Sequence, residues 1–116
     1  MVGKKRSGPR MTIPTQLVLR ALLADPAREM YGLEICAAAG LPSGTIHPIL
    51  GRLEREYGWL TSRWEDIQPQ DEGRPRRRYY QLTQGGAELA RIALAQAATS
   101  IGTIGALRPR PARGPA

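Results

Sequence analysis

The chain has 116 residues, with 17 Lys and Arg against 10 Asp and Glu, so its formal charge is +7 with the one histidine neutral. A hydrophobic content of 41% can fill one core and excludes a wholly disordered, tail-like protein, while a single cysteine (Cys36) and a single histidine (His47) cannot complete a four-ligand zinc site or an internal disulfide. No apolar run reaches the roughly 20 residues of a membrane helix, and the basic start lacks the apolar stretch of a secretory signal. The expectation is a soluble, cytoplasmic protein whose positive surplus favours a polyanionic partner, nucleic acid before an anionic membrane surface.

Residues 1–10 carry Lys4, Lys5, Arg6 and Arg10 among Gly and Pro and read as a basic flexible arm. Residues 108–116, with Arg108, Arg110 and Arg113, read as a disordered Pro/Arg tail. The 97 residues between them hold 10 basic and 10 acidic side chains and are electrically balanced. A first helix is predicted from the cap Thr12, with Pro14 in its first turn, through Leu17, Val18, Ala21 and Leu22 to about Ala24, stopped by Asp25-Pro26. A second runs from about Tyr31 to Ala39 and ends at Gly40.

A third helix is predicted from an N-cap at Ser43 to Tyr57, with Gly58 closing it. Its residues Ile46, Leu50, Leu53 and Tyr57 form one apolar stripe, and Thr45, Arg52, Arg55 and Glu56 lie opposite. Pro48 implies an irregular first turn or a bend. The period then changes to two: Leu60, Ser62 and Trp64 share one strand face, and Tyr80 and Leu82 share another. The turn-rich stretch Asp66 to Arg77 joins the two strands into a β-hairpin with a long tip. Thr83 caps a last helix through Leu89, Ile92, Ala93 and Ala97 that fades near Gly102 and Gly105.

This order of elements, mainly α with a small β-hairpin, is that of a winged helix-turn-helix. Its third helix offers a polar face to a DNA major groove and its hairpin reaches the neighbouring backbone or minor groove. Ser43, Thr45, His47 and Arg52 are the candidate recognition-helix contacts. In Gly73-Arg74-Pro75-Arg76-Arg77-Arg78, four fork-shaped cations in five positions would meet phosphates, Arg74 foremost. Lys4, Lys5 and Arg6 in the arm would add nonspecific attraction.

The stretches Tyr31-Gly32-Leu33-Glu34-Ile35, Gly44-Thr45-Ile46-His47-Pro48-Ile49-Leu50 with Arg52-Leu53-Glu54, Gly58-Trp59-Leu60, and Gly73 to Thr83 together resemble the PadR family of bacterial transcriptional regulators. The resemblance covers roughly residues 12 to 90. It implies a dimeric winged helix that represses target operons from a palindromic operator, with release by a small-molecule effector or another signal in some members. It also implies a C-terminal dimerisation helix, placed at 84–107 after a DNA-binding domain at 11–83, with Leu89, Ile92 and Ala93 at the interface. His47 stands where the family motif usually has tyrosine.

Several of these residues also have plainer readings. A lone histidine is more often a polar surface residue than a pH-sensitive contact, and Cys36 reads as a small buried hydrophobe rather than a redox sensor. Trp59 and Trp64 read as core, with an effector pocket as their functional alternative. One of Tyr79 and Tyr80 should pack and the other face outward. No nucleophile, base or phosphate-loop arrangement is present, so neither an enzyme nor a cofactor is expected. The rival functions are a winged-helix protein-interaction module and an RNA-associated basic protein, both without operator specificity.

Overall fold

The structure, a computed structural model, describes residues 8–107, with side chains through 99. The arm residues Lys4, Lys5 and Arg6 and the tail 108–116 lie outside the described residues.

Helix α1 spans Ile13–Leu23. Thr12 caps it, its hydroxyl accepting from the Thr15 amide at 3.3 Å, and Pro14 lies in the first turn, where a missing N–H costs nothing. Strand β1, Met30–Tyr31, leads directly into α2, Gly32–Ala39, which Gly40 ends in the left-handed conformation at φ 72°. Tyr31 is the N-cap residue of α2, and the Glu34 carboxylate accepts from its amide at 3.1 Å. Helix α3 spans Ser43–Arg55.

Ser43 does not cap this helix. The carbonyl of Pro42 accepts from the amides of Thr45 and Ile46, which makes Pro42 the N-cap and Ser43 the first helical residue. The helix ends at Arg55 rather than Tyr57, and Gly58 takes the left-handed conformation at φ 69° as the chain turns to bring the Trp59 amide onto the Leu53 carbonyl at 2.8 Å. Pro48 sits inside the second turn without interrupting the helix. It deprives the Gly44 carbonyl of its helical donor, a small loss because Gly44 is exposed to water.

Strands β2, Leu60–Trp64, and β3, Arg78–Leu82, form the expected antiparallel hairpin, with Leu60 opposite Leu82 and Trp64 opposite Arg78. β1 adds to the far edge of β3 through Met30 opposite Tyr80, so the sheet has three strands in the order β1-β3-β2. Between β2 and β3 the connection contains a single-turn helix α4, Pro69–Glu72, with proline in its first turn and Gly73 in the left-handed conformation at its end.

Helix α5, Gln84–Leu107, does not fade at its glycines but runs through Gly102 and Gly105. A single glycine costs a helix about 1 kcal/mol relative to alanine, too little to end one by itself. The core lies between α1, α2, α3, the sheet and the start of α5, centred on Leu19, Ile35, Ile46, Leu50 and Leu53, all fully buried. Tyr80 packs into it and Tyr79 turns outward to meet Tyr31 edge-on, centroids 5.7 Å apart. Cys36 is half-buried against the core.

Trp59 is core, 2% exposed, but Trp64 is not: it is 57% exposed. Both Leu60 and Trp64 are on the helix-facing side of β2, yet by Trp64 the hairpin has run past the helices, so strand alternation no longer implies burial.

Candidate nucleic-acid interface

The exposed side of α3 has two edges. Ser43 and His47, four residues apart, lie on the edge nearer the hairpin, and both are exposed. With the loop Arg74–Arg78 they border a groove of about 460 Å³. The His47 ring lies against the first turn of α2, where a Cβ on Gly32 would come within 3.0 Å of His47 Cε1. Glycine at the start of α2 therefore makes room for the ring.

Thr45 and Arg52, seven residues apart, share the other edge. Arg52 borders a separate hollow of about 310 Å³ together with Arg10 and Thr12. Between the two edges lie Gly44 and Pro48, both exposed, and Gly51, which is buried. The Arg55 guanidinium folds back over Gly51, its Nη2 only 2.5 Å from where a Cβ would be. The four predicted contacts of this helix are thus divided, with Ser43 and His47 toward the wing and Thr45 and Arg52 toward the chain entering α1.

The wing arginines are engaged within the protein. Arg74 donates Nη1 and Nη2 to the two oxygens of Glu65 at 2.8 and 2.9 Å. The Arg77 amide donates to the same carboxylate at 3.1 Å. The Arg74 guanidinium holds the Glu65 carboxyl well below the usual carboxylate range, at about 2. Arg78 donates Nε to the Ser62 hydroxyl at 3.1 Å, and that hydroxyl donates to Glu54 of α3 at 2.7 Å. The Arg78 guanidinium also lies 5.0 Å from the Trp64 ring centre. Arg77 stacks over Tyr31 at 4.1 Å, and Arg76, exposed, donates Nε to the Ile67 carbonyl at 3.1 Å.

Sequence reasoning missed these partners. Glu54, Glu65, Ser62 and Tyr31 stand far from the arginines along the chain, and only the register of the hairpin and the added strand β1 bring them together. Trp59 and Trp64 are not brought together either. Trp59 packs beside Tyr57, ring centres 6.3 Å apart, while Trp64 borders an open hollow of about 810 Å³ shared with Pro69, Arg74 and Arg76. On α5, Leu89 and Ile92 stand 44% and 49% exposed, three residues apart, and Ala93 is half-buried.

Among the described residues no group of three or more His, Cys, Asp or Glu could hold a metal ion. No helix among them is long and apolar enough to cross a membrane.

The profile of the Transcriptional regulator PadR-like family matches residues 18–91. A PadR family transcription regulator from Clostridium difficile, 25% identical, superposes with a TM-score of 0.60 over 81% of this chain and 95% of that one. A protein from Methanosarcina mazei described as a possible transcriptional regulator has the same fold, with a TM-score of 0.56 at 15% identity over 86% of this chain and 81% of that one. No curated protein matches the chain.

Proposed function

Since the chain belongs to the PadR-like family of transcriptional regulators and is on that ground a DNA-binding regulator, we propose that it works as a dimeric repressor on a palindromic operator. In this reading α3 enters the major groove, with Ser43, His47, Thr45 and Arg52 at its two edges reaching bases or the flanking backbone. The wing lies along the adjacent backbone and supplies phosphate contacts. The α5 helices pair so that two recognition helices stand about one DNA turn apart, roughly 34 Å. Lys4, Lys5 and Arg6 add nonspecific attraction.

The observation that carries this reading is the groove in which the first turns of α3 face the arginine-rich wing. Ser43, His47 and the arginines of the loop supply its polar and cationic groups, which suit a phosphate backbone, beside the apolar surface of Tyr31, Leu33 and Tyr80. An effector, where one acts, is best sought beside Trp64, the only one of the two tryptophans that borders open space.

Selection of binding sites from a randomised duplex library on the full-length protein tests the proposal. Two inverted half-sites bound by a dimer are expected. Recovery of no consensus, or preference for structured RNA over duplex DNA at matched salt, rejects it.

A further inference from the structure

The four wing arginines are not equivalent cations. The Glu65 carboxylate, 14% exposed, receives both arms of the Arg74 fork and the Arg77 amide, while the Glu65 amide donates to the Arg77 carbonyl at 2.7 Å. One residue at the end of β2 therefore grips both the residue that follows the left-handed Gly73 and the residue that leads into β3. The Arg74 side chain is 32% exposed, and its amide reaches back to the Pro69 carbonyl of α4 at 3.3 Å. A bidentate carboxylate fork of this kind fixes orientation as well as distance. Its two charges cancel, so the pair presents no net charge to a polyanion. Arg76 and Arg77 have no carboxylate within ion-pair distance among the described residues; their guanidinium groups meet only a carbonyl and a ring.

We propose that Glu65 and Arg74 are positioning residues that close the wing, and that its phosphate contacts come from Arg76 and Arg77. This assignment rests on the DNA-binding reading above and replaces the expectation from sequence that Arg74 leads at the phosphates. Each phosphate neutralised by a protein cation contributes about 0.9 to the slope of log affinity against log salt. Arg78 is turned instead to Glu54 of α3 at 3.9 Å, so the wing contributes through two cations held at a set angle by a neutral clamp.

The test compares full-length wild type with Glu65→Gln/Arg74→Gln, Arg74→Lys, Arg76→Gln and Arg77→Gln, using a 30-base-pair duplex recovered by the selection above. Binding is measured as a function of salt, wing amide exchange is measured in the free protein, and a melting curve shows that the domain remains folded. Arg76→Gln and Arg77→Gln should each lower the slope by about 0.9. The double variant should weaken binding several-fold with the slope unchanged, and exchange at the amides of Arg74 and Arg77 should rise about tenfold or more. Arg74→Lys retains the charge but not the fork, so it should resemble the double variant.

A slope lowered by about one in the double variant, wild-type binding by Arg74→Lys, or unchanged exchange in the wing overturns the proposal. If the wild type binds no duplex DNA, the regulatory reading fails by itself. The exchange measurement then still decides whether Glu65 and Arg74 hold the wing.

Discussion

The backbone of Gly86 lies against that of Trp59: a Cβ on Gly86 would overlap the Trp59 carbonyl oxygen and stand 2.6 Å from its Cα. The Thr83 hydroxyl, which accepts from the Gly86 amide at 2.8 Å, holds the first turn of α5 in this place. Gly85, its neighbour, has nothing within 4 Å of a Cβ. Two adjacent glycines ordinarily weaken the start of a helix, but here only Gly85 is a weakness. Gly86→Ala should destabilise the domain by about 1–3 kcal/mol through overpacking, and Gly85→Ala should stabilise it by up to about 1 kcal/mol. Urea unfolding of the two variants measures both signs.

Elements whose ends are written in local chemistry were legible. Thr12 with Pro14, Gly40 and Thr83 each mark a helix end by a capping hydroxyl, a fixed φ or a left-handed residue, and the structure places α1, α2 and α5 accordingly. β1 was not legible, because two residues show no alternation and its strand character comes wholly from pairing with β3. Trp64 misled because alternation reports which face a side chain takes and says nothing of how far the core extends. The four-arginine run was visible, but its division was not. Which guanidinium meets which carboxylate depends on a register set across the connection 65–77, which contains a helical turn of its own.

The low pKa of Glu65, about 2, gives the wing a particular acid response. An unfolded glutamate titrates near 4.3, so the folded state binds this proton more weakly than the unfolded state does. The stabilisation is fully present above the unfolded value and is lost as pH falls from there toward about 2. The stability difference between wild type and Glu65→Gln should be constant from neutral pH down to about 5 and should close progressively below that. A difference that closes between pH 6 and 8 would assign the effect to another group.

The Ser62 hydroxyl joins the wing to α3, donating to Glu54 at 2.7 Å and accepting from Arg78 at 3.1 Å. Alanine at this position removes the hydroxyl that bridges the Glu54 carboxylate and the Arg78 guanidinium, leaving only their direct approach of 3.9 Å. Ser62→Ala should cost about 1–2 kcal/mol in a denaturant titration. Ser62→Thr, which keeps the hydroxyl, should cost less.

The two edges of α3 should differ in how they affect DNA recognition. Arg52→Ala and Thr45→Ala, on the edge beside Arg10, should alter preference at particular base pairs of the selected site by about 1–3 kcal/mol each. His47→Ala, on the edge facing the wing, should change preference at a different set of positions in each half-site. Binding measured on a panel of singly substituted duplexes separates these effects. A uniform loss across the panel would mark the altered residue as a backbone contact only.

Leu89 and Ile92 present two large apolar side chains on one side of α5 while Ala87 and Ala90 of the same helix are buried in the domain. A symmetric dimer that covers this stripe uses each residue twice, because a two-fold interface is made of the same patch from both protomers. Fully burying a leucine or isoleucine side chain is worth about 1.5–3 kcal/mol, so a charge at either position would oppose association in both halves at once. Leu89→Glu and Ile92→Glu should therefore shift the proposed dimer to monomer in sedimentation equilibrium. Because both side chains stand away from the core, the melting of the winged-helix part should change little. The monomer should keep salt-dependent binding to a single half-site and lose most of its affinity for the full palindrome, since the linked second binding event is gone. Unaltered sedimentation in both variants would place the dimer interface on another surface.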